Sequence, residues 1–126
     1  MPPWGASGAG SAEVAVHSDR LGAASEGSNA ALAFDLGTCP SGHRWIIKHV
    51  SVHNEKGVSC QARVYVLHSG GTYDQFVLEN LAPDALFVRD GMFAVARAGD
   101  VVQVFKNATS GGGNLVVTVC GADLIL

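Results

Sequence analysis

Alternation is the feature that most limits this chain. From Ser59 to His68, Cys60, Ala62, Val64 and Val66 fall on one face, with Ser59, Gln61, Arg63 and Tyr65 on the other. Side chains repeat every two residues only in an extended strand, and one apolar face marks a half-buried one. Leu115, Val117 and Val119 alternate in the same way with Val116 and Thr118. Within Arg44–Asn54, Ile46, Val50 and Val52 share the even positions, against His49, Ser51 and His53. No window carries a sustained helical stripe, because Gly or β-branched residues interrupt each candidate.

Turn residues separate these runs. Asn54-Glu55-Lys56-Gly57 reads as a hairpin loop and Ser69-Gly70-Gly71 as a turn. Asp90-Gly91 carries a type I′ hairpin signal between Leu86–Arg89 and Met92–Ala96. Gly99-Asp100 leads into Val101–Lys106, and Ser110-Gly111-Gly112-Gly113 into the last strand. Phe34 and Leu36 belong to a first strand near Ala31. Seven to nine short strands predict one antiparallel β-sandwich or jelly roll over residues 31–126. Val50, Val52, Val64, Val66, Val104, Val117 and Val119 are its expected core. Few strands carry the prolines or inward charges that blunt sheet edges, so the edges are expected to invite a partner chain.

Residues 1–30 differ. Seventeen of the thirty are Gly, Ala or Ser, too little apolar area to offset the entropy of ordering. This stretch is expected to be an extended N-terminal arm without core residues. Its candidate anchors in a partner's surface are Pro2, Pro3 and Trp4 at the tip, with Val14 and Val16 further in.

Charge excludes some functions. The net charge is −3, and the eight Lys and Arg are scattered. Nucleic-acid binding needs a basic stripe to displace counterions, so no nucleic-acid partner is expected. Charged residues are only 15% of the chain, against about 25% in ordinary soluble domains. That deficit suits a surface covered by other subunits. The first residues lack the basic and apolar regions of a signal peptide, and no stretch is long enough to span a membrane. Synthesis in the cytoplasm is expected, with Cys39, Cys60 and Cys120 reduced.

The chemistry-bearing residues form no strong motif. His49 and His53 lie four residues apart on a strand, about 13 Å at ~3.3 Å per residue, too far to share an ion. The spacing departs from the metal motif of cupins, and no metal or cofactor is expected. Gly5, Gly8 and Gly10 follow no strand and precede no helix, so they make no dinucleotide loop. There is no G-x-S-x-G elbow, and no enzyme activity is expected. Asn107-Ala108-Thr109 matches a glycosylation sequon by chance. Trp45 is expected to cover one end of the sandwich, or else to stack on a ligand.

Several segments carry a family likeness: Pro40-Ser41-Gly42-His43-Arg44-Trp45-Ile46-Ile47-Lys48, the Asn-containing loop at 54–57, and Ala62-Arg63-Val64-Tyr65-Val66. Ala98-Gly99-Asp100-Val101-Val102 and the closing Val116-Val117-Thr118-Val119-Cys120-Gly121 complete it. With these, the chain from about Leu36 onward resembles small β-rich virion structural proteins of tailed bacteriophages. The resemblance implies a non-enzymatic virion subunit made in the host cytoplasm. Capsid decoration (cement) or a head or tail accessory role is the expectation, with major capsid or tail proteins as partners. Attachment would run through the arm and the sheet edges. A homo-oligomer is expected, with a trimer as the state suggested by jelly-roll shells and fibres. A receptor- or carbohydrate-binding module of a tail fibre is the alternative. It would require exposed aromatics to converge, with Trp45, Tyr65 and Tyr73 as the candidates.

Overall fold

The computed structural model describes residues 19–126. Eight strands follow in order: β1 Asp19–Glu26, β2 Leu32–Thr38, β3 His43–Asn54, β4 Cys60–Leu67, β5 Tyr73–Leu81, β6 Leu86–Arg97, β7 Val101–Lys106 and β8 Leu115–Ile125. They form two four-stranded antiparallel sheets, ordered β1-β8-β3-β6 and β2-β7-β4-β5. Among the described strands only β4 and β5 follow one another within a sheet; the other connections cross between sheets. This is the strand order of a jelly roll, the fold class expected from the alternation.

The core lies between the sheets. Val50, Val52, Val64, Val66, Val104, Val117 and Val119 are fully buried there, with Ile47, Leu115 and Val102. Ile46, by contrast, is only half-buried, and Ile47 takes the inward position. The pairing of β3 with both neighbours shifts between Ile47 and His49. The inserted Lys48 reverses which parity faces inward, as a β-bulge does.

Three further expectations are corrected. The sandwich begins inside the stretch assigned to the arm, because β1 pairs along β8 and buries Leu21. Small residues suit β1 because it meets β2 closely at a corner. Secondly, Asp90-Gly91 makes no hairpin: β6 runs unbroken from Leu86 to Arg97 along β3. His49 pairs with Asp90 and Ile47 with Ala94, so Gly91, Met92 and Phe93 bulge opposite Lys48. Thirdly, residues 54–57 join strands of different sheets. Asn54, fully buried, holds that crossing: its Nδ2 donates to the carbonyls of Val58, Leu81 and Ala82 at 2.8–3.1 Å, and its Oδ1 accepts from Lys56 N–H.

The edges are blunted after all. β1, β2, β5 and β6 are the edge strands, and each carries a register irregularity. The inserted residues Leu21, Leu36 and Phe76 all turn into the core. Arg89 on β6 pairs with the inward-facing Val50. Its guanidinium lies 5.5 Å from the Phe87 ring centre and 5.2 Å from that of Phe93, and it donates to the Phe76 carbonyl of β5. Phe93 and Phe76 stack at 5.4 Å. Bulges and the exposed Arg89 charge at the β6 edge discourage strand addition, so among the described residues open edges no longer argue for self-association.

Candidate functional site

Four places on the sandwich gather functional groups. The first is the end of the barrel near the β4–β5 hairpin. His68 Nδ1 lies 2.7 Å from Asp100 Oδ2, and His68 Nε2 lies 2.8 Å from Asp74 Oδ2. Asp100 also accepts from the backbone N–H groups of Ser69 and Arg97. Asp74 and Asp100 hold the imidazolium, so the His68 pKa is raised. Burial alone would raise the Asp100 pKa, but the donors from Arg97, His68 and Ser69 together lower it. Ser69 and Thr72 line the same cleft. A nucleophilic relay would need a hydroxyl at His68 Nε2, and Asp74 occupies that position. The arrangement is a clamp joining the β4–β5 turn to the loop before β7.

The second place is the outer face of β1-β8-β3-β6. His49 Nδ1 contacts Asp90 Oδ1 at 2.6 Å and His53 Nδ1 lies 3.3 Å from Glu55; His43 Nδ1, on the inward side at the end of the sandwich beside Trp45, contacts Asp123 at 2.8 Å. His49 and His53 therefore meet separate carboxylates. Among the described residues no three His, Cys, Asp or Glu side chains come together as metal ligands. Beside these histidines lies an apolar strip. Leu86 and Val88 pair across to His53 and Ser51, and Val95 pairs with Ile46. Leu86, Val88 and Met92 are 64%, 50% and 73% exposed.

The third place is the outer face of β2-β7-β4-β5. Arg63, Tyr65, Leu67, Tyr73, Gln75, Gln103 and Phe105 line a groove of about 290 Å³. The Tyr65 and Tyr73 rings lie 5.4 Å apart, tilted by 58°. These two tyrosines converge as a ligand face would require. Trp45 does not join them: it is buried in the core, and a Cβ on Gly37 would lie 3.3 Å from its ring.

The fourth place was not legible in the sequence. Lys56 and Lys106 are buried, at 1% and 0% exposure. Lys56 Nζ donates to the carbonyls of Gly27 and Gly113 and to Asn29 Oδ1, at 3.0–3.2 Å. Lys106 Nζ donates to the carbonyls of Ala30 and Asn107, and burial lowers its pKa. These ammonium groups replace water at loop carbonyls and tie the β1–β2 and β7–β8 loops together. Nothing in the alternating pattern separates an inward lysine from one at a strand end.

Cys39, Cys60 and Cys120 are free thiols, and burial pushes all three pKa values up. None has the thiolate character of a nucleophile. The candidate anchors Pro2, Pro3, Trp4, Val14 and Val16 lie outside the described residues.

These features define a jelly-roll domain with two distinct outer faces, one with an apolar strip beside histidine–carboxylate pairs and one aromatic and polar. No protein-family model matches the chain, and no curated protein matches it. Among solved structures it is similar to that of infectious bursal disease virus, Gx strain, at 10% identity and a TM-score of 0.41. That match covers 86% of this chain and 31% of the viral one. The Gt strain of the same virus gives 10% identity and a TM-score of 0.35, covering 86% and 30%. A mutant VP2 protein of that virus, in derived T=1 particles, gives 9% and 0.36, covering 86% and 29%. The chain spans less than a third of the length of these proteins. None of these three structures is that of a tailed-phage protein.

Proposed function

We propose that this chain is a non-enzymatic structural subunit of a virus particle, acting in capsid decoration or as a head or tail accessory. The observation that carries the reading is the apolar strip on β6, Leu86, Val88 and Met92, set on a weakly charged jelly roll. Large apolar side chains left exposed along one strand support a contact with another protein. Jelly rolls are a recurrent unit of viral shells, which supports the reading by analogy of fold. The partner surfaces would be major capsid or tail proteins and further copies of the chain, with a trimer as the expected oligomer. The N-terminal segment, with Pro2, Pro3 and Trp4, would add a second attachment through multivalency. Synthesis would be in the host cytoplasm and the final location the virion, with tailed phages as the expected source.

The test is sedimentation of the purified protein, together with its binding to particles that lack it. Assembly above 13.0 kDa or particle binding is expected, and Val88→Asp should weaken either without unfolding the domain. A monomer at every concentration that ignores particles would defeat the proposal.

A further inference from the structure

The second outer face has a different chemistry. Its residues fall in cross-strand rows. Asp35 pairs with Gln103, Gln103 with Tyr65, and Tyr65 with Gln75, giving one polar row across all four strands. The Tyr65 hydroxyl donates to Gln103 Oε1 at 2.9 Å, and Gln103 Nε2 donates to Asp35 Oδ1 at 2.6 Å. The Gln103 amide is thereby fixed in orientation, with lone-pair and N–H capacity left over. On one side of this row stand Phe105 and Arg63, paired across β7 and β4; on the other stand Leu67 and Tyr73, paired across β4 and β5. The Arg63 guanidinium lies 5.9 Å over the Phe105 ring centre. Tyr73 is 61% exposed.

We infer that this groove binds an oligosaccharide of pyranose units bearing a carboxylate. A pyranose ring offers an apolar C–H face and a rim of hydroxyls. The tilted tyrosines and Phe105 supply surfaces for the first, and the oriented amide of Gln103 with the exposed amide of Gln75 supplies donors and acceptors for the second. Amide pairs of this kind match vicinal hydroxyls, which both give and take hydrogen bonds. The walls carry one cation, Arg63, and no carboxylate, in a chain whose net charge is −3. Asp35, at the end of the polar row, is hydrogen-bonded to Gln103 and stands on β2, two strands from Arg63 on β4. The planar guanidinium suits a carboxylate bidentately. A purely apolar peptide would leave the polar row unpaired. A shallow groove of this size gives weak single-site binding, which many copies on a particle would strengthen by avidity.

The experiment is amide NMR titration of the full chain with two probes, hexagalacturonate and maltohexaose. Hexagalacturonate at millimolar concentration should move the signals of Arg63–Leu67, Tyr73–Gln75 and Gln103–Phe105, and bind more tightly than maltohexaose. Tyr73→Ala and Gln75→Ala alter exposed side chains and should preserve the spectrum elsewhere. Each should weaken binding about tenfold, the range of one aromatic or amide contact. The inference is overturned by no response to either sugar, by tighter binding of the neutral one, or by binding that ignores Tyr73→Ala. A response only to a synthetic peptide of residues 1–18 would overturn it too, assigning the groove to the chain's own N-terminal segment.

Discussion

Gly22 and Gly37 lie in direct contact at the corner where β1 meets β2: a Cβ on Gly37 would stand 3.6 Å from the Gly22 Cα. The relation is reciprocal. A Cβ on Gly22 would lie 2.7 Å from the Leu36 carbonyl oxygen, and one on Gly37 2.8 Å from that of Leu21. Leu21 and Leu36 are the bulged residues of their strands. Each bulge turns a leucine into the core, and the glycine after it lets the opposite backbone approach. The two edges thus close one side of the sandwich without a hydrogen-bonded ladder.

Gly37→Ala should therefore cost about 1–3 kcal/mol, the range for overpacking a tight contact. The nearest atom, the Leu21 carbonyl oxygen, is backbone and cannot rotate away, and the buried Trp45 ring closes the other side at 3.3 Å. Gly121→Ala should cost more, because its Cβ would stand 1.9 Å from the Ile46 carbonyl oxygen. Urea midpoints of the two variants measure both effects, and an unchanged Gly37→Ala midpoint would show that the corner is loose.

Truncation separates the N-terminal segment from the core. Removing residues 1–18 leaves the eight strands of the described residues and should shift the thermal midpoint little. Removing residues 1–28 takes β1 and Leu21 and uncovers Val117 and Val119 on β8. The second truncation should unfold the domain or lower its midpoint steeply. Differential scanning calorimetry on the two proteins decides the boundary.

The clamp predicts a pH profile. The raised pKa of His68 means that its contribution is complete below the ordinary value of 6.5 and fades as pH rises through the folded value. The lowered pKa of Asp100 means that its contribution is complete above the ordinary value of 3.8 and fades as pH falls through the folded value. Stability from the clamp is therefore largest between those two values. His68→Gln should remove the loss on the alkaline side and shrink the acid limb, because the imidazolium is one of the groups that lower the Asp100 pKa, as read from denaturation midpoints across pH.

Buried polar groups predict the largest penalties. Lys56→Ala leaves the Gly27 and Gly113 carbonyls without their donor and opens a cavity, costing about 2–4 kcal/mol. Val64→Asp places a carboxylate at a fully buried position and should cost about 3–5 kcal/mol, or abolish folding. Lys56→Met, which fills the volume but cannot donate, separates the two parts of the lysine effect.

Alternation at Cys60–Val66 and Leu115–Val119 determined the strands, the inward valines and the sandwich, because one apolar face can only be buried against another. Composition likewise marked the weakly charged surface. What the local pattern could not carry was register. Lys48, Leu21, Leu36 and Phe76 each add one residue to a strand, and a bulge is a relation between two strands. The same limit explains Asp90-Gly91, which has the chemistry of a hairpin turn but becomes a bulge because β6 pairs with β3 on both sides of it. β1 was hidden because its Ala, Ser and Gly residues serve a close corner contact, whose value exists only when β2 lies opposite. Tyr65 and Tyr73 could be named as candidates, but their meeting depends on the β4–β5 register. Trp45, read as a cover for one end of the sandwich or a ligand platform, is buried beside Gly37, whose lack of a Cβ leaves room for the ring. Periodicity reports which way a side chain points along its own strand, and only the packed sheets decide what it meets.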